Sequence, residues 1–488
     1  MNWRWSGNGQ PEARNCRSNR RQFVCFRAPN YDASTIPATL VRHSDGHAGF
    51  SVTARPCTQN LTRSRLPATT ALPPTSSPPA DNTSVTVSSS RLYNRTFAFA
   101  FFSQIGFVLS NTLMAHYARW IDFLGGDVNQ VGWIMGAGSI MGLVMRPWMG
   151  QWIDRIGARN MWLLGYALFA IGSLLNLVLT DLGPMIYVCR SFLVLGPAIV
   201  FSASLAFITH HAPPERRTEA IGSLGVAGFT GMILGPFLGD VILAGERSHA
   251  SFVLLFTTAA GSLLLPAILL LFIQPLPTEA RGASVDIREF VRTLRRYWPG
   301  TIFTIQVVFG LCMTVPFIFL TKYIDETGIR IPGVSEVGLF FLCYAGWGLT
   351  VRIISRRIPE RLGRRKMLLV GTLIMGMGML LFLVVDAAHP WRLALPALVC
   401  GTGHAMVFHT STSLFIEPFP NESRGAGSAL SLMALDVGMI GGAPLMGMIA
   451  QRFGYNAMFP TIAVMCFTAA TVYAVASIPV WRQRLREA

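Results

Sequence analysis

Charged residues are scarce in this sequence. Only 13% of its 488 residues are Asp, Glu, Lys or Arg and 51% are hydrophobic, whereas about a quarter of an ordinary soluble domain is charged. Runs of about 20 apolar residues cross a hydrocarbon core of about 30 Å as helices. Twelve such runs lie between Thr96 and Val480, and the eighth, Val337 to Val351, is the shortest. We therefore predict an all-α membrane protein with twelve transmembrane helices.

The sequence also lacks the motifs of common enzymes and pumps. It has no Walker loop, nucleophile elbow or HExxH, which argues against an ATP-driven pump in a single chain and against an enzyme. Its eight cysteines show no CxxC spacing and five of them lie in predicted spans, so core packing accounts for them. The doublet His210 and His211 has no further ligands nearby. We predict no metal and no cofactor.

Acidic residues are fewer than basic ones, at 24 against 40, which gives a net charge of +16. The basic residues are scattered over short loops rather than gathered on one face, so nucleic-acid binding is not indicated. With both termini in the cytoplasm, most Lys and Arg fall in inner loops, which is the positive-inside pattern of an inner-membrane protein. The outer loops then carry six basic residues: Arg119, Arg247, Lys322, Arg330, Arg392 and Arg452.

Residues 1–90 differ from everything after them. They are rich in Ser, Thr, Pro, Asn and Arg, and the stretch from Pro67 to Ser90 is of low complexity. Such a composition does not supply a stable core. No apolar segment of the signal-peptide kind is present. We predict a disordered tail, with an over-extended gene start and a transit peptide as the alternatives.

The hydrophobic part of the chain contains an internal repeat. The segment GQWIDRIGAR, Gly150 to Arg159, returns as RRIPERLGRR, Arg356 to Arg365, at an offset of 206. PERRTEA, from Pro214, returns as NESRGAG, from Asn421, at an offset of 207. Charged loops in equivalent places of two hydrophobic halves indicate a transporter built from parallel repeats. We predict two pseudo-symmetric six-helix bundles, residues 91–275 and 301–488.

The two halves are joined by a long basic loop, residues 276–300, which we predict to be cytoplasmic. Apolar side chains recur there at helical spacing and arginines occupy the positions between them. This pattern is typical of an amphipathic helix lying on an anionic leaflet, and a solvated linker is the alternative. The apolar residues are Ile287, Phe290, Val291, Leu294 and Trp298, and the basic ones are Arg288, Arg292, Arg295 and Arg296.

The repeated loop identifies a family resemblance. From about Thr96 to Trp481 the chain resembles a member of the major facilitator superfamily, and the sequence of its motifs is similar to that of the drug and sugar efflux branch. The resemblance implies a loop that controls access to the transport site, in which Asp154 pairs with an Arg and with a helix N-terminus. The second copy departs from the pattern, with Glu360 in place of Asp and Arg356 in place of the first Gly. The residues concerned are Gly150, Asp154, Arg155, Gly157, Arg159, Glu360, Arg361, Gly363 and Arg365.

A second resemblance lies in the fifth span. GMILGPFLG resembles an element that the family associates with antiporters, and its residues are Gly231, Gly235, Pro236 and Gly239. Small residues at every fourth position also pack helices in many membrane proteins. The element departs from the family pattern in having Asp240 where a second Gly is usual.

Several polar groups interrupt the spans. Arg190 lies in span four at the position of the Arg in a weaker signature of the family. Its side chain either snorkels to the headgroups or faces a polar cavity. Asp436 lies about 18 Å along span eleven, near the midplane. Burial there disfavours its charge, which suits reversible protonation, and the alternative is a packing residue bonded to a hydroxyl or a His. Further substrate or proton candidates are His404, Gln104, Asn111 and Gln306.

These features favour a monomeric, proton-coupled exporter of small molecules. Its partners are a small-molecule substrate, protons and the lipid bilayer. An uptake symporter for a sugar, organic acid or amino acid uses the same fold and stays open as an alternative. A non-transporting membrane sensor is a third hypothesis, which a collapsed, apolar central cavity favours over transport. The substrate cannot be read from the sequence.

Overall fold

The computed structural model describes residues 14–18, 21–25, 93–212, 216–244, 247–274, 287–355, 363–420 and 424–487. The chain divides into two units, Met1–Val85 and Thr86–Ala488, of which the second is called the membrane unit. Within the first unit, strands β1 (Arg14–Ser18) and β2 (Arg21–Cys25) form an antiparallel hairpin in which Arg14 faces Cys25. A two-stranded hairpin alone is marginally stable, so it supplies no core. The rest of the prediction for residues 1–90 lies outside the described residues and stays a prediction.

The first half of the membrane unit contains six spans, numbered here in chain order. A capping box begins the second of them, since the Asp127 carboxylate accepts the Gln130 N–H and the Gln130 amide oxygen accepts the Asp127 N–H. The helices are α1 (Arg95–Leu113) and α2 (Tyr117–Phe123) in span 1, α3 (Val128–Ile156) in span 2, α4 (Ala158–Leu175) in span 3, α5 (Met185–His211) in span 4, α6 (Arg217–Ile242) in span 5, and α7 (His249–Gly261) with α8 (Leu264–Leu271) in span 6.

The second half repeats this arrangement after the linker helix α9 (Ile287–Arg296). Two of its spans contain five-residue π-helical turns, Val315–Phe319 and Leu342–Gly346, and the first includes Pro316, which has no N–H to donate. The helices are α10 (Ile302–Thr314) and α11 (Leu320–Thr327) in span 7, α12 (Glu336–Phe341) and α13 (Trp347–Ser355) in span 8, α14 (Arg364–Leu380) in span 9, α15 (Ala394–Ile416) in span 10, α16 (Arg424–Phe453) in span 11 and α17 (Tyr455–Glu487) in span 12.

The described residues therefore contain twelve helical spans that are long and apolar enough to cross a membrane. This confirms the predicted all-α membrane fold. The eighth span runs from Glu336 to Ile354 and is the shortest of the twelve, as the sequence indicates.

The repeat is visible in the backbone. Gly157 ends α3 with φ 89° and ψ 141°, and Gly363 precedes α14 with φ 85° and ψ 135°. Non-glycine residues rarely adopt this region, so both copies of the loop need glycine at this position. Arg159 Nη1 donates to the carbonyl of Ile273 at the end of span 6 over 2.9 Å. Its counterpart Arg365 lies within electrostatic reach of Tyr473 in span 12.

The two halves contact each other along two pairs of spans that the repeat makes equivalent. Span 2 packs on span 11, where Gly132 and Gly136 lie against the backbone of Ala443 and Ile440. Span 5 packs on span 8, where Gly348 contacts Phe229. Glycine allows this close approach because a Cβ would displace the neighbouring helix. We call the side of the unit where spans 1, 5 and 7 end the Asp325 end, and the opposite side the linker end.

Helix α9 has one buried apolar side chain and several exposed ones. Phe290 is 8% exposed, while Ile287 and Val291 are 45% and 42% exposed, and Trp298, which follows the helix, is 50% exposed. Only part of the apolar face of the helix is covered by protein. Contact of the exposed part with an anionic leaflet stays a prediction.

Candidate transport pathway

A buried ion pair joins the two halves. Arg146 Nε of α3 donates to Asp436 Oδ2 of α16 over 2.6 Å, and Nη2 donates to Oδ1 over 3.2 Å. Arg146 and Asp436 are 8% and 7% exposed. A bidentate pair of this kind fixes the two side chains in one geometry, and a buried charge that loses its partner is strongly destabilising. The pair therefore ties the position of span 2 to that of span 11.

Sequence reasoning did not identify this partner. It considered a hydroxyl or a His for Asp436, and the structure corrects that expectation, because the partner is Arg146. The two residues are 290 positions apart, so no local spacing connects them. The available signal was the dipeptide Arg146-Pro147 inside an otherwise apolar span, since a charge in a span usually has a partner or a cavity.

Arg190 does not snorkel to the membrane surface. It is 8% exposed, and its guanidinium lies 5.2 Å from the ring centroid of Tyr117 in span 1. Its side chain packs against Gly138 of span 2, and its buried Nε has no hydrogen-bond partner among the described residues. A cation–π contact of this kind compensates only part of the desolvation of a guanidinium. Arg190 is therefore a buried cation with unused hydrogen-bonding capacity.

The remaining polar candidates are distributed over three spans. Gln104 of span 1 and Gln306 of span 7 are 2% and 0% exposed, and each has buried amide atoms without a partner in the described part of the chain. Asn111 is half-buried. His404 of span 10 is half-buried and forms a 2.6 Å hydrogen bond between its Nδ1 and the Tyr344 hydroxyl. An unpaired buried amide is costly, which is typical of groups that bind water or a ligand.

A network of charges closes the Asp325 end. Arg119 of span 1 is 5% exposed and reaches both halves. Its Nη1 donates to Asp240 Oδ1 over 2.6 Å, while Nε and Nη2 donate to the two oxygens of Asp325 over 2.9 and 3.1 Å. Arg247 and Arg330 also contact Asp325, at 2.6 and 3.2 Å. Asp325 thus has charged donors from three segments, and Arg119 links it to Asp240.

Further contacts extend this closure. Asp240 Oδ2 accepts hydrogen bonds from the Ser335 hydroxyl over 2.6 Å and from the Val337 N–H over 3.0 Å, which fixes span 5 to span 8. The Thr321 hydroxyl donates to the carbonyl of Ala115 across spans 7 and 1 over 3.3 Å, and Lys322 pairs with Asp122. Sequence analysis noted Asp240 only as a departure from a family pattern and placed Arg119 in an outer loop. The structure places both inside this network.

The antiporter-like element of span 5 packs against span 1. Gly231, Gly235 and Gly239 lie against Ile105, Thr112 and His116, where added Cβ atoms would clash. The Thr112 hydroxyl contacts the carbonyl of Gly231 over 3.2 Å. His116 Nε2 lies 3.0 Å from the carbonyl of Pro236, and its Nδ1 lies 3.0 Å from Arg119 Nη1. The element therefore packs two helices closely and supports the charge network through His116.

The residues of the repeated access loop fall into three groups. Gly157, Arg159, Gly363 and Arg365 have the equivalent placements described above. Gly150 faces open space and Arg155 is exposed at the linker end. Asp154 lies in the last turns of α3 but its side chain is not described, and Glu360 and Arg361 lie outside the described residues. The predicted role of Asp154 in controlling access stays a prediction.

Polar contacts at the linker end hold the start of span 1. The Asn94 side-chain amide lies 3.1 Å from His211 Nε2, and the Tyr93 hydroxyl donates to Glu219 over 2.8 Å. Partial burial lowers the pKa of His211 below its ordinary value. A neutral ring at physiological pH is consistent with this hydrogen bond to an uncharged amide.

The family model described as Major Facilitator Superfamily matches residues 95–430 and 357–486. The chain belongs to the Major Facilitator Superfamily. The resemblance found in the repeated loop is thereby confirmed. The protein is an integral membrane protein and a secondary transporter, not an enzyme.

Two relatives carry names of efflux proteins. The class H tetracycline resistance protein of Pasteurella multocida is 25% identical over 60% of this chain and 69% of its own length. Multidrug resistance protein MdtG of Salmonella paratyphi A is 23% identical over 70% of this chain and 82% of its own length. These names support a transporter of the efflux type.

Solved structures share the fold at lower identity. A POT family transporter superposes with a TM-score of 0.66 at 16% identity, covering 79% of this chain and 96% of that one. The nucleoside transporter NupG gives a TM-score of 0.62 at 13% identity, covering 78% and 98%. The D-xylose-proton symporter gives 0.61 at 16% identity, covering 78% and 96%. Likeness at these identities concerns the fold alone.

Proposed function

We propose that this transporter is a proton-coupled exporter of small molecules that works as an antiporter by alternating access. The names of its relatives support the direction of transport, and the element from Gly231 to Gly239 is similar to one associated with antiporters. The protein acts as a monomer in the inner membrane with both termini in the cytoplasm. The linker end is then the cytoplasmic side and the Asp325 end is the outer side.

The closed Asp325 end supports alternating access. Arg119, Asp240 and Asp325 connect spans 1, 5 and 7, while Ser335 adds span 8. The network must separate when the outer side opens, and equivalent contacts must then form at the linker end. The conformation described here corresponds to the state that is closed to the outside.

The observation that carries proton coupling is the ion pair of Arg146 and Asp436. It is buried, it crosses the interface between the two halves, and it contains an ionisable acid. A proton on Asp436 neutralises the carboxylate and weakens the bond to Arg146, which releases span 2 from span 11. Because the two access states bind this proton with different affinity, a pH gradient shifts the population between them.

Everted membrane vesicles with an imposed pH gradient test the proposal. Addition of a transported solute should release protons from the vesicle lumen, and the solute should accumulate inside. Asp436→Asn imitates the protonated acid, so this variant should exchange substrate but no longer concentrate it. Uphill, pH-dependent accumulation by Asp436→Asn at equal expression would remove Asp436 from the coupling step. Solute movement in the same direction as protons would favour the uptake symporter instead.

The orientation has a separate test. Single Cys substitutions in the loop from Ser284 to Arg296 should be protected from an impermeant thiol reagent in intact cells, and substitutions in the loop from Asp325 to Ser335 should be labelled. The native cysteines are first replaced by Ser, and permeabilised cells provide the control in which both loops react. The reverse pattern in intact cells would overturn the orientation.

A further inference from the structure

An aromatic cage surrounds His404 at the interface between the two halves. The ring centroids of Phe309 and Phe408 lie 5.3 and 5.8 Å from that of His404, and the centroid of Tyr344 lies at 5.5 Å. These three rings belong to spans 7, 10 and 8. The fourth ring, Phe229 of span 5, comes from the other half and lies at 5.7 Å. We call this set the His404 cage.

Only some of the polar atoms of the His404 cage form hydrogen bonds with other described residues. The Tyr344 hydroxyl forms a hydrogen bond with Nδ1 of His404, and Nε2 of the same ring has no hydrogen-bond partner among the described residues. A hydrogen-bonded hydroxyl fixes the orientation of the imidazole. The ring therefore offers one free nitrogen at a fixed position to a ligand in the cage.

Arg352 adds a positive charge next to the cage. It lies on span 8 two helical turns after Tyr344, is half-buried, and its guanidinium packs against the backbone of span 5 at Gly225. It lies within electrostatic reach of both His404 and His409. No hydrogen bond or ion pair of Arg352 is present in the described part of the chain, so this cation faces no carboxylate there. Such a charge has much to gain from an anionic partner.

Phe229 is the part of the cage that alternating access displaces. It is 5% exposed and sits on span 5, while the other three rings are on the opposite half. When the two halves separate along spans 5 and 8, the ring of Phe229 leaves and the cage can accept another planar ring. Its position at the moving interface is the position expected for a site that is reached from alternate sides of the membrane.

We infer that the His404 cage binds an organic anion with a planar ring, and this inference rests on the proposed transport function. The ring of the ligand takes the place of Phe229 against Phe309, Tyr344 and Phe408. Its acidic group lies between the Arg352 guanidinium and the Nε2–H of His404, in the tautomer whose Nδ1 accepts the hydrogen bond from the Tyr344 hydroxyl. A guanidinium forms charge-assisted hydrogen bonds with carboxylates and phosphates, and it has no comparable interaction with an amide or an amine.

A binding assay on the purified full-length protein tests this inference. The probes are indole-3-acetate, its neutral isostere indole-3-acetamide, and the cation tryptamine, each measured by ligand-induced thermal stabilisation and by equilibrium binding. The acetate should bind at least tenfold more tightly than the amide, and tryptamine should bind least. Equal affinity for acetate and amide, preference for tryptamine, or no binding of any probe would overturn the inference.

Three variants test whether the His404 cage and Arg352 cause the preference for indole-3-acetate over indole-3-acetamide. Arg352→Gln should reduce acetate affinity at least tenfold and leave amide affinity within about twofold, so that the preference disappears. Arg352→Lys should keep part of the preference because it keeps the charge, and His404→Phe should keep ring binding but weaken the acetate. Arg452→Gln is the matched control, since this exposed arginine lies at the Asp325 end. An unchanged acetate preference in Arg352→Gln would reject the cage as the anion site.

The inference and the proposed function fail in different ways. If the vesicle assay finds proton-driven export of neutral or cationic solutes and Arg352→Gln exports them normally, the exporter stands and the anion inference falls. If anions bind in the cage but no solute moves against a gradient under any pH difference, the anion site stands and the coupled exporter falls. Should Arg352→Gln not fold, as judged by gel filtration, Arg352→Lys and His404→Phe still measure the preference.

Discussion

The Asp325 end and the interior of the transporter differ in whether their buried arginines are paired with carboxylates. At the Asp325 end, Arg119, Arg247 and Arg330 share two carboxylates, and those carboxylates have further donors. In the interior, Asp436 is bound by Arg146, while Arg190 and Arg352 face no acid in the described part of the chain. Paired charges hold a closed surface together, whereas unpaired cations are costly unless a ligand or water compensates them. The difference supports the proposal that the first region closes the transport pathway and the second binds substrate.

The largest expected effect comes from breaking the pair of Arg146 and Asp436. Arg146→Gln leaves the carboxylate of Asp436 buried without its partner, which we expect to cost about 3–5 kcal/mol of stability and to abolish transport. The double variant with Asp436→Asn should recover most of the stability but none of the coupling, because neither residue is charged. Thermal unfolding and vesicle transport measure the two effects. Equal stability of the single and double variants would contradict this account of the pair.

The access loop at the linker end provides the next test. We expect Asp154→Asn to remove most of the transport activity, by more than about tenfold or about 1.4 kcal/mol, while the protein still reaches the membrane. The reason is that a carboxylate there is expected to stabilise one access state through an Arg and a helix terminus. Asp181→Asn, an exposed acid in the loop after span 3, is the control. Wild-type rates in Asp154→Asn at equal expression would contradict the prediction.

The gate itself should respond to loss of one carboxylate. Asp325→Asn removes the acid that Arg247 and Arg330 contact and leaves Arg119 with Asp240 alone, which weakens the closed state and increases access from that end. A cysteine introduced by Thr321→Cys measures this access through its labelling by a thiol reagent. Thr321 is 1% exposed and lies at the contact of spans 7 and 1, so it should react only when this end opens. We expect labelling of that position to rise about tenfold, or about 1.4 kcal/mol. Asp386→Asn, an exposed acid in the loop after span 9, is the matched control, and similar labelling in both variants would show that the network does not hold the gate.

The last expected effect concerns stability rather than transport, at the two equivalent glycines. Gly157→Ala and Gly363→Ala should each lower stability by about 1–2 kcal/mol, because alanine is strained at their positive φ. Gly150→Ala, in a helix and facing open space, should leave stability unchanged or raise it by about 0.5–1 kcal/mol. Thermal unfolding of the three variants separates these outcomes, and a common response would argue that backbone strain is not the cause.

Different parts of the molecule were predictable from the sequence to different degrees. The twelve spans follow from apolar run length, and the equivalent turns at Gly157 and Gly363 follow from the repeat, because both signals are local. The partner of Asp436 was missed because Arg146 is remote in sequence and close to the end of its predicted span. The Asp325 network was missed because its members come from separate loops and span ends, and only the fold brings them together.

The glycine positions of span 5 also have a mechanical consequence. Gly231, Gly235 and Gly239 leave no gap between span 5 and span 1, and Thr112 and His116 fill the remaining space. Two helices in such contact cannot slide or tilt separately without breaking many contacts at once. We therefore expect spans 1 and 5 to move together as one rigid body. A displacement of Asp240 on span 5 then also displaces Arg119 on span 1.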